Sequence, residues 1–399
     1  MTPGFSQTTL AFASALLCTA PAAFALNADD FVEKLGNGMH AGRTAMQAGI
    51  VRLEGDDIIL QDVSYRVNAA GGQSTVLPLG NMTFIDVRQT PTGGYTAASA
   101  NIDGFAVGTD TVVVRMSDVD ITNLYIPADI FAENELPFIQ YDRATSGPAS
   151  IEQSGKLVAK MDGLTSHMDR SALPLLTGRS DLDGLEMSLP APAGSNMQAQ
   201  MKALQLDRPK GDVSLAFNWN TATGNARLDN YEFDLPNVGK LAMDVDLSGY
   251  TLDVAKSQIR ASRDIPRSAD PQTALTQMQP QMLTMMQKMS LDSAEISFVD
   301  AGVTHRALNY YGKKQGASGA QLAAMLPMLA GIGLAGLELP HALLGQVTGS
   351  LNTYLGNPQS FEITARPSTP VSIADIAAMG MAAPKRLPDL LNLSVRVNQ

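Results

Sequence analysis

A cluster of methionines is the feature of this sequence with the clearest capacity for chemistry. On a predicted helix over residues 270–290, five thioethers fall within an arc of about 100°: Met278, Met282, Met285, Met286 and Met289. Thioether sulfur binds Cu(I), and the Met-x-x-Met spacing resembles copper-binding sets of exported proteins. Methionine also fills cores and lines adaptable apolar grooves. The stripe therefore leaves three interpretations open, which are a copper site, plain core and a ligand groove.

Other motifs match functional patterns only in part. Residues 331–336, GIGLAG, have the letters of a dinucleotide fingerprint, but a helix-like run precedes them instead of a strand. Glu338 and His341 would share one face of a helix, yet the chain has only four histidines from which to complete a metal site. Asp181 and Asp183 suggest a calcium loop, whose first and twelfth positions then lack acidic ligands. We predict no catalytic residue, no metal site and no cofactor, because copper is the least favoured of the three interpretations of the methionine stripe.

The first 25 residues predict a secretory signal peptide. They contain no Asp, Glu, Lys or Arg and end in the small-x-small triplet Ala23-Phe24-Ala25. The single cysteine, Cys18, lies in this segment, so cleavage after Ala25 would leave a chain without thiols or disulfides. We therefore expect an exported protein of the periplasm whose stability comes from burial of apolar side chains.

Charge and hydropathy narrow the range of partners. The net charge of −11 disfavours nucleic acid and anionic membrane surfaces as electrostatic partners. After the first 25 residues, no segment has the roughly 20 uninterrupted apolar residues that cross a bilayer. The nearest, residues 322–337, contains Pro327 and three glycines. We expect it to be buried or interfacial and predict no transmembrane segment in the mature chain.

The middle of the chain has the two-residue period of β-strands. Apolar residues from Val213 to Trp219 and from Leu241 to Leu247 alternate with polar ones, so each strand has one wet and one dry face. This pattern is typical of antiparallel sheets with one solvated side. The sequence predicts a mainly β fold with added helices (α+β), in which a long curved antiparallel sheet has its apolar face partly covered by Met-rich helices.

A short phrase with Asp before Val or Gly recurs along the predicted strands. It occurs at irregular intervals, at residues 62–63, 86–87, 103–104, 118–119, 162–163 and 183–184. Asp-Gly alone suggests a hairpin turn, but the β-branched Val resists the positive φ that such a turn requires at its second position. We therefore interpret the phrase as a strand position at which Asp faces water and Gly, where present, permits a bulge or a close approach of the backbone.

Helical patterns flank this β-rich part. Asn27 is a plausible N-cap for a helix reaching about residue 48, and Asp270-Pro271 begins the Met-rich helix, which Pro280 would divide. A further helical stretch is expected over 320–344, broken near Pro327 and Pro340, followed by strands over 342–355 and 359–373, a short helix near 374–379 and a final strand. The predicted organisation is a signal peptide (1–25), an N-terminal helix (26–48), an antiparallel β-rich region (49–262), and a helical cover with C-terminal strands on the same sheet (263–399).

The order of these segments resembles a known group. The phrases LQDV, MSDV and NIDG, the stretch GKLAMDVDLSGYTL and the tail NPQSFEITARPSTPVSI look like those of uncharacterised periplasmic proteins of alphaproteobacteria. More distantly, the chain is similar to AsmA-like, repeating β-groove proteins of the Gram-negative envelope, although it lacks their N-terminal membrane helix and great length. The resemblance implies an envelope role and passage of lipid along an apolar trough, and it transfers no functional residue.

Two functional hypotheses follow from the one-faced strands. The first is a periplasmic module that binds a lipid or another hydrophobic ligand and serves envelope homeostasis. Its apolar lining would come from the methionine stripe together with Phe217 and Trp219. The alternative is a non-catalytic envelope scaffold that docks another protein through its sheet edges or acidic face while its apolar face is covered by the chain itself. A hydrolase with dispersed carboxylates is disfavoured because the sequence selects no acid–base pair.

Overall fold

A computed structural model describes residues 26–39, 44–68, 74–108, 111–189, 194–264, 271–335 and 341–399 of this protein. Within these ranges the chain forms nine α-helices, one 3-10 turn and an open sheet of 21 antiparallel strands. The helices are α1 (Ala28–Met39), α2 (Asn196–Leu204), α3 (Leu252–Asp264), α4 (Pro271–Lys288), α5 (Val303–Lys314), α6 (Gly319–Ala335), α7 (His341–Gly356), α8 (Ile373–Ala382) and α9 (Leu387–Leu390). The strands are β1 (Thr44–Gln47), β2 (Ile50–Glu54), β3 (Asp57–Asn68), β4 (Ser74–Ile85), β5 (Arg88–Gln89), β6 (Tyr95–Ile102), β7 (Phe105–Gly108), β8 (Val112–Met116), β9 (Val119–Ile126), β10 (Arg143–Ser146), β11 (Ala149–Gln153), β12 (Lys156–Met161), β13 (Gly163–Asp169), β14 (Leu175–Met187), β15 (Lys210–Asn220), β16 (Asn225–Leu235), β17 (Gly239–Ser248), β18 (Ser290–Asp300), β19 (Ser360–Ala365), β20 (Val371–Ser372) and β21 (Leu393–Val397).

The strands follow one another across the sheet with few long crossings. The main row runs β2, β3, β4, β6, β9, β10, β13, β14, β15, β16, β17, β18, β19 and β21. A second row, β7, β8, β11 and β12, joins β14. Each strand of this second row continues a strand of the main row beyond a break of one or two residues. The predicted long antiparallel sheet is therefore confirmed.

The recurring Asp phrases mark bulges and breaks in these strands. At five places a residue in the left-handed region is the third of four residues whose first and last are apolar, with φ of 53°, 52°, 52°, 64° and 51°: Asp62, Asp86, Asn123, Gly184 and Asn230. The pairing register shifts at the first, fourth and fifth of these places. The extra residue of the bulge keeps the apolar side chains before and after it on the same face of the sheet. Leu60 and Val63, for example, are both fully buried.

Side chains from neighbouring strands stabilise these left-handed residues. The N–H of Asn230 donates to Asp244 Oδ1 at 2.8 Å, and the N–H of Gly184 donates to Asp212 Oδ1 at 2.8 Å. The N–H of Asp86 donates to Asp57 Oδ1 at 2.9 Å. The bulge expected at Gly is confirmed at Gly184, but the interpretation of the phrase does not include a left-handed Asp. The positive φ falls on the Asp itself in two cases, so the following Val is not strained.

The strands β15–β19 have the predicted wet and dry faces. Cross-strand pairing places Leu241 beside Phe298 and Phe298 beside Phe361, with Met243, Ile296 and Ile363 in the next row. The opposite face carries ion pairs, including Lys240 Nζ to Glu232 Oε1 at 2.8 Å and Arg396 to Glu362 at 3.0 Å. The alternation read from the sequence therefore corresponds to two chemically distinct surfaces of one sheet.

Several helices share the cover of the apolar side. At the start of the sheet, Phe31 of α1 packs against Phe84 and Tyr95 with ring centroids 4.9 and 5.3 Å away. At the middle, Ala255 of α3 packs with Leu176 and Trp219. The Met-rich helix α4 packs against α3 and α8 and reaches the sheet near β20. Helices α5, α6 and α7 share a separate cluster around Leu308, Leu322 and Leu355.

Several boundaries predicted from the sequence are wrong. The first helix ends at Met39 and not near residue 48, because Thr44–Gln47 pairs with β3 instead. Residues 342–355 form α7 and not a strand, since Leu355 packs with α5 and α6 and Tyr354 with Phe361 of β19. Pro280 lies within one continuous α4 and Pro327 within one continuous α6, so neither proline breaks its helix as predicted. Helices α2, α3 and α5 were not predicted. Residues 1–25, the predicted signal peptide, lie outside the described ranges.

Candidate ligand-binding groove

An apolar groove of about 610 Å³ opens on the dry face of the sheet. Its floor consists of alternate residues on the four adjacent strands β14–β17, and its walls come from the loop after β9, from α3 and from the end of α4. It is lined by Phe138, Leu176, Phe217, Asn218, Trp219, Ala226, Arg227, Leu228, Val245, Leu247, Tyr250, Gln258, Met285 and Met289. The groove is therefore walled almost entirely by hydrocarbon and aromatic rings.

Strand register explains why these residues meet. Pairing aligns one row of floor residues across the four strands, Leu176, Trp219, Ala226 and Leu247. A second row contains Gly178, Phe217, Leu228 and Val245. The bulge in β16 falls just beyond the second row, so the floor itself remains regular. With about 4.8 Å between strands, each row is about 14 Å long.

A glycine makes room for the central aromatic ring of the floor. A Cβ added at Gly178 would lie 2.2 Å from Cε1 of Phe217, which is closer than any real contact. The Phe217 ring therefore lies directly over the Gly178 backbone and keeps the floor low at that point. A larger residue at position 178 would force this ring toward the open side of the groove.

Trp219 is fixed at one end of the groove. Its Nε1–H donates to the backbone oxygen of Tyr250 at 2.6 Å, and the two ring centroids are 5.3 Å apart. The Tyr250 hydroxyl donates to Gln258 Oε1 at 3.3 Å, and burial raises the pKa of Tyr250 above its usual value. These contacts hold the indole in one orientation. A smaller cavity of about 290 Å³ adjoins this end and shares Phe138, Trp219, Tyr250 and Gln258 with the groove.

Four of the seven residues predicted as apolar lining lie together in the groove. Phe217 and Trp219 form the floor, and Met285 and Met289, four residues apart, form one wall. Met286 is half-buried and is not part of the lining, whereas Met282 is 49% exposed. The side chain of Met278 lies outside the described part of the chain.

The arrangement of the methionines bears on the copper interpretation. The two Met-x-x-Met pairs are each split, since one member of each lines the groove and the other does not. The thioethers that do line it face aromatic and aliphatic side chains. The geometry is that of an apolar wall, which favours the groove interpretation of the stripe.

Sequence reasoning missed one wall of the groove. Tyr250 precedes α3 by two residues and Gln258 lies within it, and this helix was not predicted. A capping signal was present, because the Thr251 hydroxyl accepts the backbone N–H of Val254 at 3.4 Å. Phe138 lies in the irregular loop after β9, where no periodic pattern marks a position as facing the sheet.

A second cavity, of about 960 Å³, is lined mainly by polar residues. Its cations already have partners. Arg88 pairs with Asp86 at 2.9 Å, and Arg179 makes two bonds to Asp181 at 2.8 Å. Arg170 donates to the backbone oxygen of Asn123 at 3.3 Å. A charged ligand would have to displace these contacts, so the apolar groove is the stronger candidate site.

The remaining motifs do not form sites in the described residues. Gly331 and Gly333 lie inside α6, far from the strand-to-helix turn that a dinucleotide site requires. Asp181 and Asp183 lie within β14 and not in a loop. Glu338 and the side chain of His341 fall outside the described part of the chain. Among the residues that are described, no three His, Cys, Asp or Glu side chains meet as a metal site.

Comparison with known proteins finds a family model that matches the C-terminal part of the chain. Residues 232–398 match a family model described as an uncharacterized protein. The match begins within β16, so it includes Met285 and Met289 but not Phe217 or Trp219. No curated protein matches the chain. None of the helices described is long and apolar enough to span a membrane.

Proposed function

We propose that this protein is a periplasmic binding module for a hydrophobic ligand, with the acyl chain of a lipid as the best-fitting class. The observation that carries the proposal is the open apolar groove over Phe217 and Trp219. A surface of this kind exposes hydrocarbon to water at a free-energy cost, which a bound hydrophobic ligand removes. The groove's volume of about 610 Å³ lies within the range typical of small-molecule sites, about 300–1,000 Å³.

The chemistry of the lining favours a chain without charge. Of the lining residues only Arg227 is charged, and it pairs with Asp229 and, at 3.4 Å, with Asp246. The groove therefore lacks an uncompensated charge with which to bind an ionic group. A sixteen-carbon chain could gain roughly 10 kcal/mol at most from burial, before the cost of ordering it. That gain is sufficient to hold a lipid.

The apolar face continues beyond the groove. Leu241, Ile296 and Ile363 lie on the adjacent strands β17, β18 and β19 and remain 41%, 42% and 40% exposed. From β14 to β19 the face is about 24 Å wide at about 4.8 Å per strand. A chain that starts at Trp219 can therefore extend along the sheet, which supports a long hydrocarbon over a compact ring system.

The proposed location comes from the sequence. The charge-free first 25 residues have the character of an export signal, and the resemblance to envelope proteins points the same way. In the periplasm, a lipid chain needs a shielded site to leave one membrane and reach another. A binding module with an open groove fits that need and contributes to envelope homeostasis.

Mass spectrometry of gently purified protein tests the proposal. We expect a retained lipid or fatty acid in stoichiometric amount. The variant Ala226→Phe places a ring on the groove floor beside Trp219 and should lose the ligand. The matched control Ala242→Phe adds the same ring to β17 on the opposite face, where Ala242 pairs with Ser297 and Glu232, and should retain it. Absence of lipid from all three proteins, with no uptake of added fatty acid, would contradict the proposal.

The scaffold hypothesis is the second candidate. In this hypothesis the chain itself covers the apolar face of the sheet. The open groove and the exposed side chains of Leu241, Ile296 and Ile363 argue against such a complete cover. The same exposed strip could still receive an apolar segment of an envelope protein. Crosslinking in cells from a photoreactive residue at position 296 separates the two candidates, because a scaffold would yield a discrete protein adduct and a lipid-binding module would not.

A further inference from the structure

Helix α6 is apolar on all sides, yet one of its sides is at the protein surface. Its 17 residues include no Asp, Glu, Lys or Arg. Leu322, Ala323 and Leu326 face the cluster with α5 and α7. On the other side, four side chains at spacing i, i+3, i+4 and i+7 are 45%, 63%, 49% and 68% exposed: Met325, Met328, Leu329 and Ile332. Helices that are hydrophobic all round are normally enclosed by protein or by lipid.

The size of this exposed stripe argues against a second protein copy as its partner. A helix of 17 residues is about 25 Å long and about 10 Å wide, so its face can bury only about 250 Å² on each partner. Stable protein interfaces bury about 1,200–2,000 Å² in total. A lipid surface has no such requirement, because it deforms around each side chain.

The side chains around α6 favour a lipid surface over a protein partner. The neighbouring α7 also lacks Asp, Glu, Lys and Arg, so neither helix offers the charged rim that protein partners use. Directly before α6, Lys313 and Lys314 end α5, and the rings of Tyr310 and Tyr311 meet edge to face with centroids 5.3 Å apart. Tyrosine and lysine are the side chains that sit at the level of lipid head groups.

We propose that the exposed face of α6 docks this protein on the surface of an electrically neutral lipid bilayer. The helix lies in the plane of the interface, since its length of about 25 Å is less than the about 30 Å of a hydrocarbon core. The net charge of −11 opposes binding to anionic lipid. This surface is separate from the groove, so the proposal does not rest on ligand binding.

Flotation of the purified protein with phosphatidylcholine vesicles tests this proposal. We expect the protein to float with these vesicles, to bind no better when phosphatidylglycerol is added, and to be insensitive to salt. The double variant Met328→Gln, Ile332→Gln should reduce the bound fraction about tenfold. The matched control Leu283→Gln, Met381→Gln changes two other exposed helical side chains, 53% and 84% exposed, and should bind as the parent does.

Each other outcome overturns the proposal. No flotation of the parent protein, or stronger binding to phosphatidylglycerol vesicles, contradicts neutral-lipid docking. Equal loss in the control removes the assignment to α6. A parent protein that sediments as a dimer and becomes monomeric in the α6 variant assigns the stripe to a second copy. Circular dichroism verifies folding of each variant, and fatty-acid uptake by the groove should be unchanged in the α6 variant, so failure of one proposal is distinguishable from failure of the other.

Discussion

Replacement of Asn230 tests whether the left-handed bulges set the registration of the sheet. Asn230 has φ of 51° between Leu228, on the groove floor, and Tyr231 on the same face. The variant Asn230→Val places a β-branched residue in the left-handed region and increases the backbone strain, whereas Asn230→Gly relieves that strain. Because the side chain of Asn230 is exposed, the two variants differ mainly in backbone strain and not in packing.

The expected magnitude follows from the backbone. A left-handed L-residue costs about 1–2 kcal/mol, so Asn230→Val should lower the free energy of unfolding by about that amount. Asn230→Gly should stay within about 0.5 kcal/mol, since relief of strain is offset by a more flexible unfolded chain. Asp244→Ala removes the acceptor for the Asn230 N–H and should cost about 1 kcal/mol.

The only tryptophan of the chain provides the assay. Trp219 lies on the strand next to Asn230 and pairs with Ala226, so its fluorescence in a urea titration reports the unfolding of this part of the sheet. We expect the urea concentration at the midpoint of unfolding to be highest for Asn230→Gly, intermediate for Asp244→Ala and lowest for Asn230→Val. A valine variant as stable as the glycine variant would show that the strand pairs equally well without a left-handed residue, and it would refute the role assigned to the bulges.

Two further predictions concern buried charged side chains. Lys256 is 2% exposed, and its ammonium donates to the backbone oxygens of Ala132 and Glu133. Lys256→Met should therefore lower the free energy of unfolding by about 1–3 kcal/mol and speed proteolysis of residues 128–139. The control Lys202→Met, at an exposed position, should change neither quantity. The Lys210 hydrogen bond, aided by Lys160, holds the pKa of Glu186 below its ordinary 4.5. A carboxyl whose pKa is lowered by folding stabilises the folded state above its unfolded pKa and loses that contribution as the pH falls through the folded value. The free energy of unfolding of the parent protein should therefore fall as the pH is lowered below 4.5, and Glu186→Gln should remove that part of the pH dependence. A variant whose stability depends on pH as the parent's does would contradict this role of Glu186.

The two-faced strands could be predicted from the sequence because burial alone determines their pattern. Val213 to Trp219 and Leu241 to Leu247 alternate without interruption, and the structure places them on one apolar face. Phe217 and Trp219 could be selected for the same reason. The methionine stripe was recognised from its spacing, but the tertiary position of α4 decides which of its members reach the groove, and that position depends on α3 and α8.

Other features depend on interactions that are distant in sequence. The bulges at Asp62 and Asn230 require knowledge of the partner strand, because their N–H groups are bound by side chains 14 or 19 residues away. Residues 341–356 contain several glycines and β-branched residues and suggest a strand locally, yet packing against α6 makes them helical. Local propensity is overridden in such cases by the apolar surface that a neighbouring helix offers.

Quenching of Trp219 by a brominated fatty acid tests the central claim most directly, because bromine quenches only an indole that it contacts. The account predicts saturable quenching at a stoichiometry of one, retained in Ala242→Phe and lost in Ala226→Phe. The dependence on bromine position would then show which part of the chain lies beside Trp219. No quenching of the parent protein at saturating ligand, or equal quenching in both variants, would contradict a hydrophobic-ligand site in this groove.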